Sequence, residues 1–444
     1  MEYMLIVSKL HVSCGFIVSL PFYNKANQQK GLKLMKLKRI LLVILIIGVA
    51  ASLLGFVLLP KTPPAPQQVA SIGELELYLE SLADNNTPPA LSVMVVKDGA
   101  LVYQNGFGTA NPYTNLPADE NSVYHWWSTT KIATVVAILQ LEEQAKLALD
   151  DTVITYLPWF EVDYPSENST PITIRHLLNH SSGMPDAGVE LFRWIHPLGA
   201  PSVNQTEMVQ RVLPDFTKLK YEPGQKSTYT NVGYMVLGAV IEAVSGISYE
   251  DFVRQNILLP LHMNQTGFVY TDAMLPYAAA GSHPAFDIQA LLFPIIVQDA
   301  DVFIRERKDG KLWFELLYND QTPPTGLIGP ARDMARFEMM LLNAGQLDGV
   351  QILKAESVQR MFSESFIPIA STMEKKVQAA EQRGLGWAVN GSGSEIAFSH
   401  PGGGPGFGTY MRLYPQQNLG IILMANDTTP IWPQLADLIA QIEW

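Results

Sequence analysis

The order of β-rich and helical segments is the feature that most constrains the fold of this chain. LSVMVVKDGALVYQNGFG at 91–108 contains two β-rich runs around Asp98-Gly99, a hairpin pattern. From Gly384 onward, GLGWAVN, AFSHPGGG, GTYMRLYP and NLGIILMAND are typical of four strands with tight turns. Residues 128–263 are mainly helical in character. We therefore predict an α/β (α+β) domain whose sheet lobe is closed by both ends of the chain, with a helical lobe inserted between them.

Local signals also predict where several helices begin and end. A first helix is expected over residues 72–84, and Gly246 ends a long helix through TNVGYMVLGAVIEAVSG. Ser248 followed by Asp251 predicts the capped start of the next helix. Further predictions are strands around Asp309-Gly310, a helix in ARDMARFEMMLLNAG that ends on Gly345, and a closing helix over about 432–442.

Ahead of this domain lies a run of twenty uncharged residues, ILLVILIIGVAASLLGFVLL at 40–59. A helix of this length crosses a bilayer. Residues 1–39 contain seven basic residues and one acidic residue, and basic residues before a span keep its N-terminus in the cytoplasm. We predict a basic cytoplasmic segment at 1–39, a single transmembrane anchor at 40–59, a proline-rich linker at 60–71, and a domain at 72–444 on the extracytoplasmic side of the cytoplasmic membrane.

Two alternatives concern this N-terminal part. One is a cleaved signal peptide with AAS at 50–52 near the cut, although the apolar run continues to residue 59. The other is a start at Met35, which would make residues 1–34 an upstream extension of the reading frame. The single cysteine of the chain, Cys14, precedes the anchor, so the exported part has no disulfide and no thiol chemistry.

Composition and charge exclude some classes of protein. Hydrophobic residues make up 48% of the chain and charged residues 16%, which fits a folded protein with a substantial core. The net charge is −12 although residues 1–39 contribute +6, so residues 40–444 carry −18. An acidic body argues against nucleic acid as a partner. The expected partners are a small-molecule or peptide substrate and, through the anchor, a membrane.

Ser128-Thr-Thr-Lys131 begins a helix that is otherwise apolar. The positions that follow have the spacing of a buried helical face, where a lysine is rarely found. Residues three apart on a helix face the same way, so Ser128 and Lys131 should touch. A desolvated lysine can take the proton of a serine hydroxyl, and a helix N-terminus favours a developing oxyanion. The alternative is a lysine whose side chain extends to solvent from the first turn.

A second motif is Tyr229-Thr-Asn231. A tyrosine held near a lysine can transfer a proton, and an asparagine can orient both substrate and lysine. The alternative is a tyrosine packed at the entrance of a helix that Thr230 or Asn231 caps. Tyr113-Thr-Asn115 has the same spacing, but we discount it because it lies in a loop between strands, before the serine.

A third motif is His400-Pro-Gly402-Gly403-Gly404 on a late strand. The glycines leave the strand edge bare, so its backbone can approach a ligand closely. The alternative is a surface histidine on a glycine turn.

His176 and His180 have the i, i+4 spacing of two metal ligands on one helix face. No carboxylate stands at the H-E-x-x-H position and no third ligand is evident, so we predict no metal. The chain also has no G-x-S-x-G, no P-loop and no dinucleotide fingerprint, and no cofactor is expected.

The order S-x-x-K, Y-x-N, H-x-G resembles the serine β-lactamase and penicillin-binding-protein superfamily. It is most similar to the branch that groups class C β-lactamases with related esterases and D-amino-acid peptidases. The resemblance runs over roughly residues 75–440 and includes LDDTVITYLP, HLLNHSSGMP, GLIGPARDMARF and GLGWAV. It implies a β-lactamase/transpeptidase-like fold, with an antiparallel sheet flanked by helices. It also implies a helical lobe at about 126–325, with the active site between sheet and lobe.

The resemblance also implies a role for each motif residue. Ser128 corresponds to the acylated nucleophile and Lys131 to its partner base. Tyr229 corresponds to the general base and acid, and Asn231 to an amide that contacts substrate.

The H-x-G motif departs from the family pattern. His400 falls where many members have the lysine of K-T-G, which meets a substrate carboxylate with a permanent charge. A histidine titrates near neutral pH and carries that charge only part of the time. Gly402 and Gly403 correspond to backbone beside the substrate, and the Gly403 N–H joins that of Ser128 in an oxyanion hole.

The expected function is therefore a membrane-anchored serine hydrolase that forms an acyl-enzyme on Ser128. Its substrate would be an ester, a β-lactam or a small peptide with a D-residue, and His400 favours an esterase or D-peptidase over an efficient β-lactamase. The alternative is a non-catalytic sensor or scaffold that binds a cell-wall or acyl ligand. Residues 277–321 resemble the family least, and their apolar run LLFPIIV either lines the site or rests on the membrane.

Overall fold

A computed structural model describes residues 62–199, 203–364, 366–428 and 431–444. The predicted basic segment, the predicted anchor and the first two residues of the predicted linker lie outside these ranges. Residues 62–71 of the linker form no helix or strand.

No single helix in the described ranges is long and apolar enough to cross a membrane. Two consecutive segments, Asn231–Ser245 and Tyr249–Leu258, meet that test only when taken together, and they are bent by 76°.

The strands, in chain order, are β1 Ala90–Lys97, β2 Ala100–Asn111, β3 Leu116–Pro117, β4 Val123–His125, β5 Ile195–Pro197, β6 Ser282–Pro284, β7 Ile304–Lys308, β8 Lys311–Phe314, β9 Leu317–Asn319, β10 Ile328–Pro330, β11 Gln346–Leu347, β12 Val350–Gln351, β13 Ile367–Pro368, β14 Gln382–Arg383, β15 Ala388–Asn390, β16 Ala397–Gly404, β17 Phe407–Tyr414 and β18 Leu419–Ala425. The helices are α1 Ile72–Asp84, α2 Thr130–Glu143, α3 Val153–Tyr156, α4 Ile174–Leu178, α5 Gln205–Val212, α6 Asn231–Ser245, α7 Tyr249–Val253, α8 Ile288–Ile296, α9 Thr322–Thr325, α10 Ala331–Leu342, α11 Ala355–Ser363, α12 Thr372–Gln378 and α13 Trp432–Ala440.

Within the described residues, the main sheet has nine strands in the order β13-β14-β15-β16-β17-β18-β1-β2-β3, and every neighbouring pair is antiparallel. The first hairpin turns at Asp98 and Gly99, both with positive φ, as a tight two-residue turn requires. Strand β1 then pairs with β18 from Leu91–Ala425 to Lys97–Leu419. The sheet is therefore closed by both ends of the described domain, as predicted.

The central strands are buried on both faces. Alternate residues of β1 point to opposite sides of a sheet, and Met94 and Val96 belong to one core while Val93 and Val95 belong to another. The first core contains α10 and the apolar residues of α2, whereas the second is covered by α1 and α13. The structure thus confirms an antiparallel sheet flanked by helices.

The predicted helix boundaries are mostly confirmed. Helix α1 spans the predicted residues, and Gly246, at φ 78°, caps the end of α6. The Ser248 side chain accepts a hydrogen bond from the Asp251 N–H at the start of α7. Helix α10, however, ends at Leu342 and not at Gly345, because Ala344 already has a left-handed conformation with φ 52°.

Candidate active site

Ser128 lies in a 3₁₀ turn, Trp127–Thr129, that leads directly into α2. The turn is fixed from two sides, because the hydroxyl groups of Thr129 and Thr409 each donate to the Trp126 carbonyl at 2.7 Å. Trp127 has φ 46°, a conformation that costs energy in a residue other than glycine. The contacts with Thr409 and the start of α2 therefore hold the serine in a backbone geometry that a free helix end would not adopt.

Strand β16 passes directly beside this turn. A Cβ atom on Gly402 would lie 2.3 Å from the Trp126 carbonyl oxygen and 3.2 Å from the Ser128 nitrogen. A Cβ on Gly404 would overlap the Trp127 ring, whereas one on Gly403 would meet nothing within 4 Å. Glycine at 402 and 404 allows the close approach of strand and turn, and the open position at 403 faces free space.

Lys131 is completely buried on α2. Its Nζ lies 3.4 Å from Ser128 Oγ, 2.7 Å from Asn231 Oδ1 and 3.1 Å from the Pro324 carbonyl oxygen. The predicted contact between Ser128 and Lys131 is thus present, and the alternative of a solvent-exposed lysine is wrong. Burial lowers the pKa of Lys131 well below its usual range, while the Asp186 carboxylate raises that pKa and the Arg383 guanidinium lowers it.

Asn231 is held by a carboxylate that our sequence analysis missed. Asp186 Oδ1 accepts hydrogen bonds from the backbone N–H of Asn231 at 2.8 Å and from its Nδ2 at 3.2 Å. The bond from Nδ2 orients the amide so that its oxygen faces the amine of Lys131. Asp186 follows directly after the family-like phrase HLLNHSSGMP, which was the available signal.

Tyr229 lies over the same lysine, with Lys131 Nζ 4.7 Å from its ring centroid. Two other side chains also contact the tyrosine ring. The His180 ring stacks on it with ring centroids 4.6 Å apart, and the guanidinium carbon of Arg383 lies 5.4 Å from its centroid. Burial raises the pKa of Tyr229, and the neighbouring Ser128 hydroxyl lowers it in part. The phenol therefore stays protonated at neutral pH and has a proton to donate.

Arg383 is a second residue that our sequence analysis missed, because a position before GLGWAV carries no motif. It is fully buried on β14 and forms an ion pair with Glu374 of α12. The other oxygen of Glu374 accepts a hydrogen bond from the Tyr229 backbone N–H at 3.4 Å. The pair therefore connects α12 to the loop that carries Tyr229.

His400 differs from the expectation in its charge. Burial lowers the pKa of His400 well below its usual range, and Lys131 and Arg383 lower it further. Its Nδ1 lies 2.8 Å from the carbonyl oxygen of Pro401, which fits a neutral ring that donates from Nδ1. The expectation that His400 is partly charged near pH 7 is thus wrong, because the imidazole is neither solvated nor free of neighbouring cations. The alternative of a surface histidine is also wrong.

A cleft of about 520 Å³ opens in front of Ser128. Helix α12 contributes one wall, the end of β16 another, and the start of α13 a third. The residues that line the cleft include Ser128, Tyr229, Gln289, Lys376, Pro401, Gly402, Gly403, Thr428 and Trp432. Lys376 is exposed, so the cleft has a cation on its wall although His400 is neutral.

The other sequence candidates have contacts of their own. The Tyr113 hydroxyl donates to Glu306, in the segment that resembles the family least. His176 Nδ1 accepts from the Thr173 N–H in a capping box. His180 Nδ1 accepts from the Thr230 N–H beside Tyr229. The Nδ1 atoms of the two histidines at i, i+4 thus accept from different backbone groups.

Comparison with known proteins identifies the family. The family model "Beta-lactamase" matches residues 78–443. The chain belongs to the beta-lactamase family. This match and the arrangement of sheet and helices confirm the predicted fold and family.

Two curated relatives in this family are similar over most of the chain. Penicillin-binding protein 4* of Bacillus subtilis is 28% identical over 343 residues, which cover 76% of this chain and 67% of that protein. Protein flp of Staphylococcus aureus is 25% identical over 377 residues. That match covers 85% of this chain but only 66% of flp, so the chain spans slightly less than two thirds of this relative.

Solved structures show the same beta-lactamase fold. The octameric penicillin-binding protein homologue from Pyrococcus abyssi has a TM-score of 0.65 at 25% identity, covering 83% of this chain and 77% of that chain. The D-amino acid amidase from Ochrobactrum anthropi SV3 has a TM-score of 0.63 at 20% identity, covering 82% of this chain and 97% of that chain.

Proposed function

We propose that this protein is a serine hydrolase that forms an acyl-enzyme on Ser128 and cleaves an ester or amide of a D-residue. The observation that carries the proposal is the fully buried Lys131, whose Nζ lies 3.4 Å from the hydroxyl oxygen of a serine that lines a cleft. A buried lysine in an apolar helix requires compensation that an ordinary core position does not provide. Here the compensating contacts of Lys131 are with the Ser128 hydroxyl and the Asn231 amide oxygen, as expected for a base beside its nucleophile.

The first step transfers the Ser128 proton to Lys131. Burial lowers the pKa of Lys131, so its neutral amine, which accepts the proton, is accessible near neutral pH. Because the pKa of Tyr229 is raised, its phenol is protonated and Lys131 is the group that accepts the proton. Lys131 thus keeps the role of partner base that the resemblance implied, and Tyr229 keeps only the acid part of its implied role. The Ser128 oxygen then attacks the substrate carbonyl carbon, and the resulting ammonium stays hydrogen-bonded to Asn231.

The second step stabilises the oxyanion and expels the leaving group. The N–H groups of Ser128 and Gly403 are assigned to the oxyanion by the family resemblance. The neighbouring Gly402 brings β16 against the turn that carries Ser128. The Tyr229 hydroxyl gives its proton to the departing alcohol or amine as the carbonyl carbon–heteroatom bond breaks, and it regains a proton from the Lys131 ammonium. A water molecule, deprotonated by the same amine, then attacks the acyl-enzyme and releases the acid and Ser128.

The choice of substrate depends on charge in the cleft. A neutral His400 gives no cation at the position where the family's K-T-G lysine meets a substrate carboxylate, and the cation of the cleft lies instead on Lys376 of α12. We therefore propose esters and small D-residue peptides before β-lactams. A structural neighbour supports a D-residue, since the D-amino acid amidase from Ochrobactrum anthropi SV3 has been solved in complex with D-phenylalanine. The predicted anchor at 40–59 would keep this activity on the extracytoplasmic face of the membrane.

The test is intact mass spectrometry and turnover with three reagents: a p-nitrophenyl ester, D-alanine p-nitroanilide and benzylpenicillin. We expect the first two to be hydrolysed, and an acyl adduct that is absent from Ser128→Ala. Lys131→Met should lose turnover while the protein stays folded, whereas the exposed Lys146→Met is the matched control and should not. A wild-type protein that is folded but forms no adduct and turns over none of the three would favour the alternative of a sensor or scaffold.

A further inference from the structure

Helix α8, Ile288–Ile296, presents large apolar side chains to solvent. Ile288, Leu291 and Ile295 lie at i, i+3 and i+7 on one helix face and are 65%, 48% and 77% exposed. Phe286, just before the helix, is 52% exposed. We call these four side chains the α8 face. Soluble domains rarely expose adjacent large apolar groups without a partner.

The α8 face is held outward by contacts on the opposite side of the helix. Phe293 is buried and packs edge-on against Phe314 with ring centroids 5.0 Å apart. Arg307 donates to the carbonyl groups of Ala285 and Ala290, and the Asp287 side chain caps the helix N-terminus. Because the inner face is fixed in the core, the outer face cannot turn inward without unfolding this segment.

The α8 face borders the cleft. Gln289, the second residue of α8, lines the cleft together with Ser128. A flat apolar surface in contact with α8 would therefore lie beside the entrance used by substrate.

The sequence ahead of the described domain indicates what covers the α8 face. A run of twenty uncharged residues ends at position 59, and a linker of twelve residues extends at most about 40 Å before α1 begins. If residues 40–59 form the proposed anchor, a linker of this length would keep the domain near the bilayer. Helix α8 has no charged residue, and the charges beside it have both signs, with Arg307 on one of its carbonyl groups and Asp287 at its N-terminus. We therefore assign the membrane contact to the apolar side chains and not to attraction by anionic headgroups.

We propose that the α8 face inserts into the interfacial layer of the lipid bilayer and holds the mouth of the cleft at the membrane surface. This inference rests on the proposed membrane anchoring. Insertion of an uncharged helix face depends on apolar burial, so it occurs on zwitterionic lipid and persists at high salt. The substrates reached in this way are those presented at the membrane surface.

Cys14 is the single cysteine of the chain, so its replacement allows a dye to be attached at one introduced cysteine. The full chain with Cys14→Ser and either Ile295→Cys or Ile154→Cys is labelled with the dye NBD and reconstituted in phosphatidylcholine vesicles. Ile154 is also an exposed aliphatic residue, at 54%, but it lies on α3 and serves as the matched control. Flotation first establishes that the protein is bound to the vesicles, and circular dichroism with thermal unfolding establishes that each variant is folded.

We expect the label at 295, and not at 154, to show blue-shifted emission and quenching by doxyl-labelled lipid, unchanged in 1 M salt. Labels at both positions that behave as in water, on protein that floats with the vesicles, would overturn the insertion while leaving the anchor intact. Protein that does not float would overturn the anchoring and this inference with it. A blue shift that depends on protein concentration without doxyl quenching would show that a second copy of the chain covers the α8 face.

Discussion

The Nζ atom of Lys131 lies 2.7 Å from Asn231 Oδ1, a closer contact than the 3.4 Å between the same nitrogen and Ser128 Oγ. The amide is itself held by Asp186, so the position of the base is set through two further side chains and not by the serine. The proton affinity of Lys131 is therefore open to change by residues that do not touch the substrate.

Replacement of Asp186 by Asn should shift the acid limb of the pH–rate profile to lower pH. The Asp186 carboxylate raises the pKa of Lys131, so its removal lowers that pKa and leaves more of the amine neutral in acid. The asparagine oxygen can still accept from Asn231, which preserves the geometry. The measurement is kcat/KM from pH 4 to 9, with the exposed Asp215→Asn as control. A limb that stays in place would mean that Lys131 does not titrate in the profile.

Replacement of Arg383 by Met should move the same limb in the opposite direction. The Arg383 guanidinium lowers the pKa of Lys131, and without it the ammonium form persists to higher pH. Activity at pH 6 should fall more than activity at pH 8.5. Arg383→Lys keeps a positive charge at this position and should restore most of the wild-type limb. A limb that stays displaced in Arg383→Lys would contradict an effect of charge on the pKa of Lys131.

Gly402→Ala should damage the site through packing. The added methyl group would overlap the Trp126 carbonyl and push β16 away from the Ser128 turn. Misplacement of reacting groups by about 1 Å costs roughly 100-fold in rate, and overpacking costs about 1–3 kcal/mol of stability. Thermal unfolding and ester turnover measure the two effects. Gly403→Ala, whose methyl group meets nothing, should keep the wild-type unfolding temperature, and an equal loss of stability in both variants would contradict the packing argument.

Glu338 should make the protein less stable as the pH rises. Neither of its carboxyl oxygens has a hydrogen-bond partner among the described residues, and burial raises the pKa of Glu338 well above its usual range. The folded state keeps a proton that the unfolded chain releases above about pH 4.3, so stability decreases from there toward the folded-state pKa.

Glu338→Gln removes this proton exchange. The variant should gain stability relative to the wild type in urea unfolding, by a larger amount at pH 8 than at pH 5. The exposed Glu356→Gln should show no such difference between the two pH values. A gain that is equal at pH 5 and pH 8 would mean that Glu338 does not stay protonated in the folded state.

Lys311→Met should destabilise the fold strongly. Lys311 and Asp427 form an ion pair in which both side chains are at most 1% exposed, and Asp427 also accepts from the Ser282 hydroxyl. Removal of one partner of a buried pair costs about 3–5 kcal/mol. Arg305→Met, which breaks the half-exposed pair with Glu315, should cost no more than about 1 kcal/mol. Urea unfolding measures the loss of stability in both variants. Equal losses would contradict the argument that the buried pair contributes more than the half-exposed one.

Several elements were predictable because their signals are local. The hairpin at Asp98-Gly99 needs two positive φ values that aspartate and glycine tolerate, and Gly246 ends α6 for the same reason. The contact between Ser128 and Lys131 follows from a spacing of three residues on one turn of helix. The three ordered motifs together also identified the family.

The protonation states were not predictable in this way, because they depend on distant residues that fold into one place. Arg383 follows Tyr229 by 154 positions, yet its guanidinium lies against the tyrosine ring and acts on the pKa of Lys131 and His400. Asp186 likewise acts through the amide of Asn231. No periodicity in the sequence encodes these distances.

The sequence by itself determined the order of strands and helices, the candidate nucleophile and the family, since each depends on residues close together in the chain or on a matched set of phrases. Only the tertiary structure decided that His400 is buried and neutral, that Lys131 is fully buried against Asn231, and that α8 presents an apolar face beside the cleft. The reason is physical: burial and electrostatic interaction act over a few ångströms in space, whatever the separation along the chain.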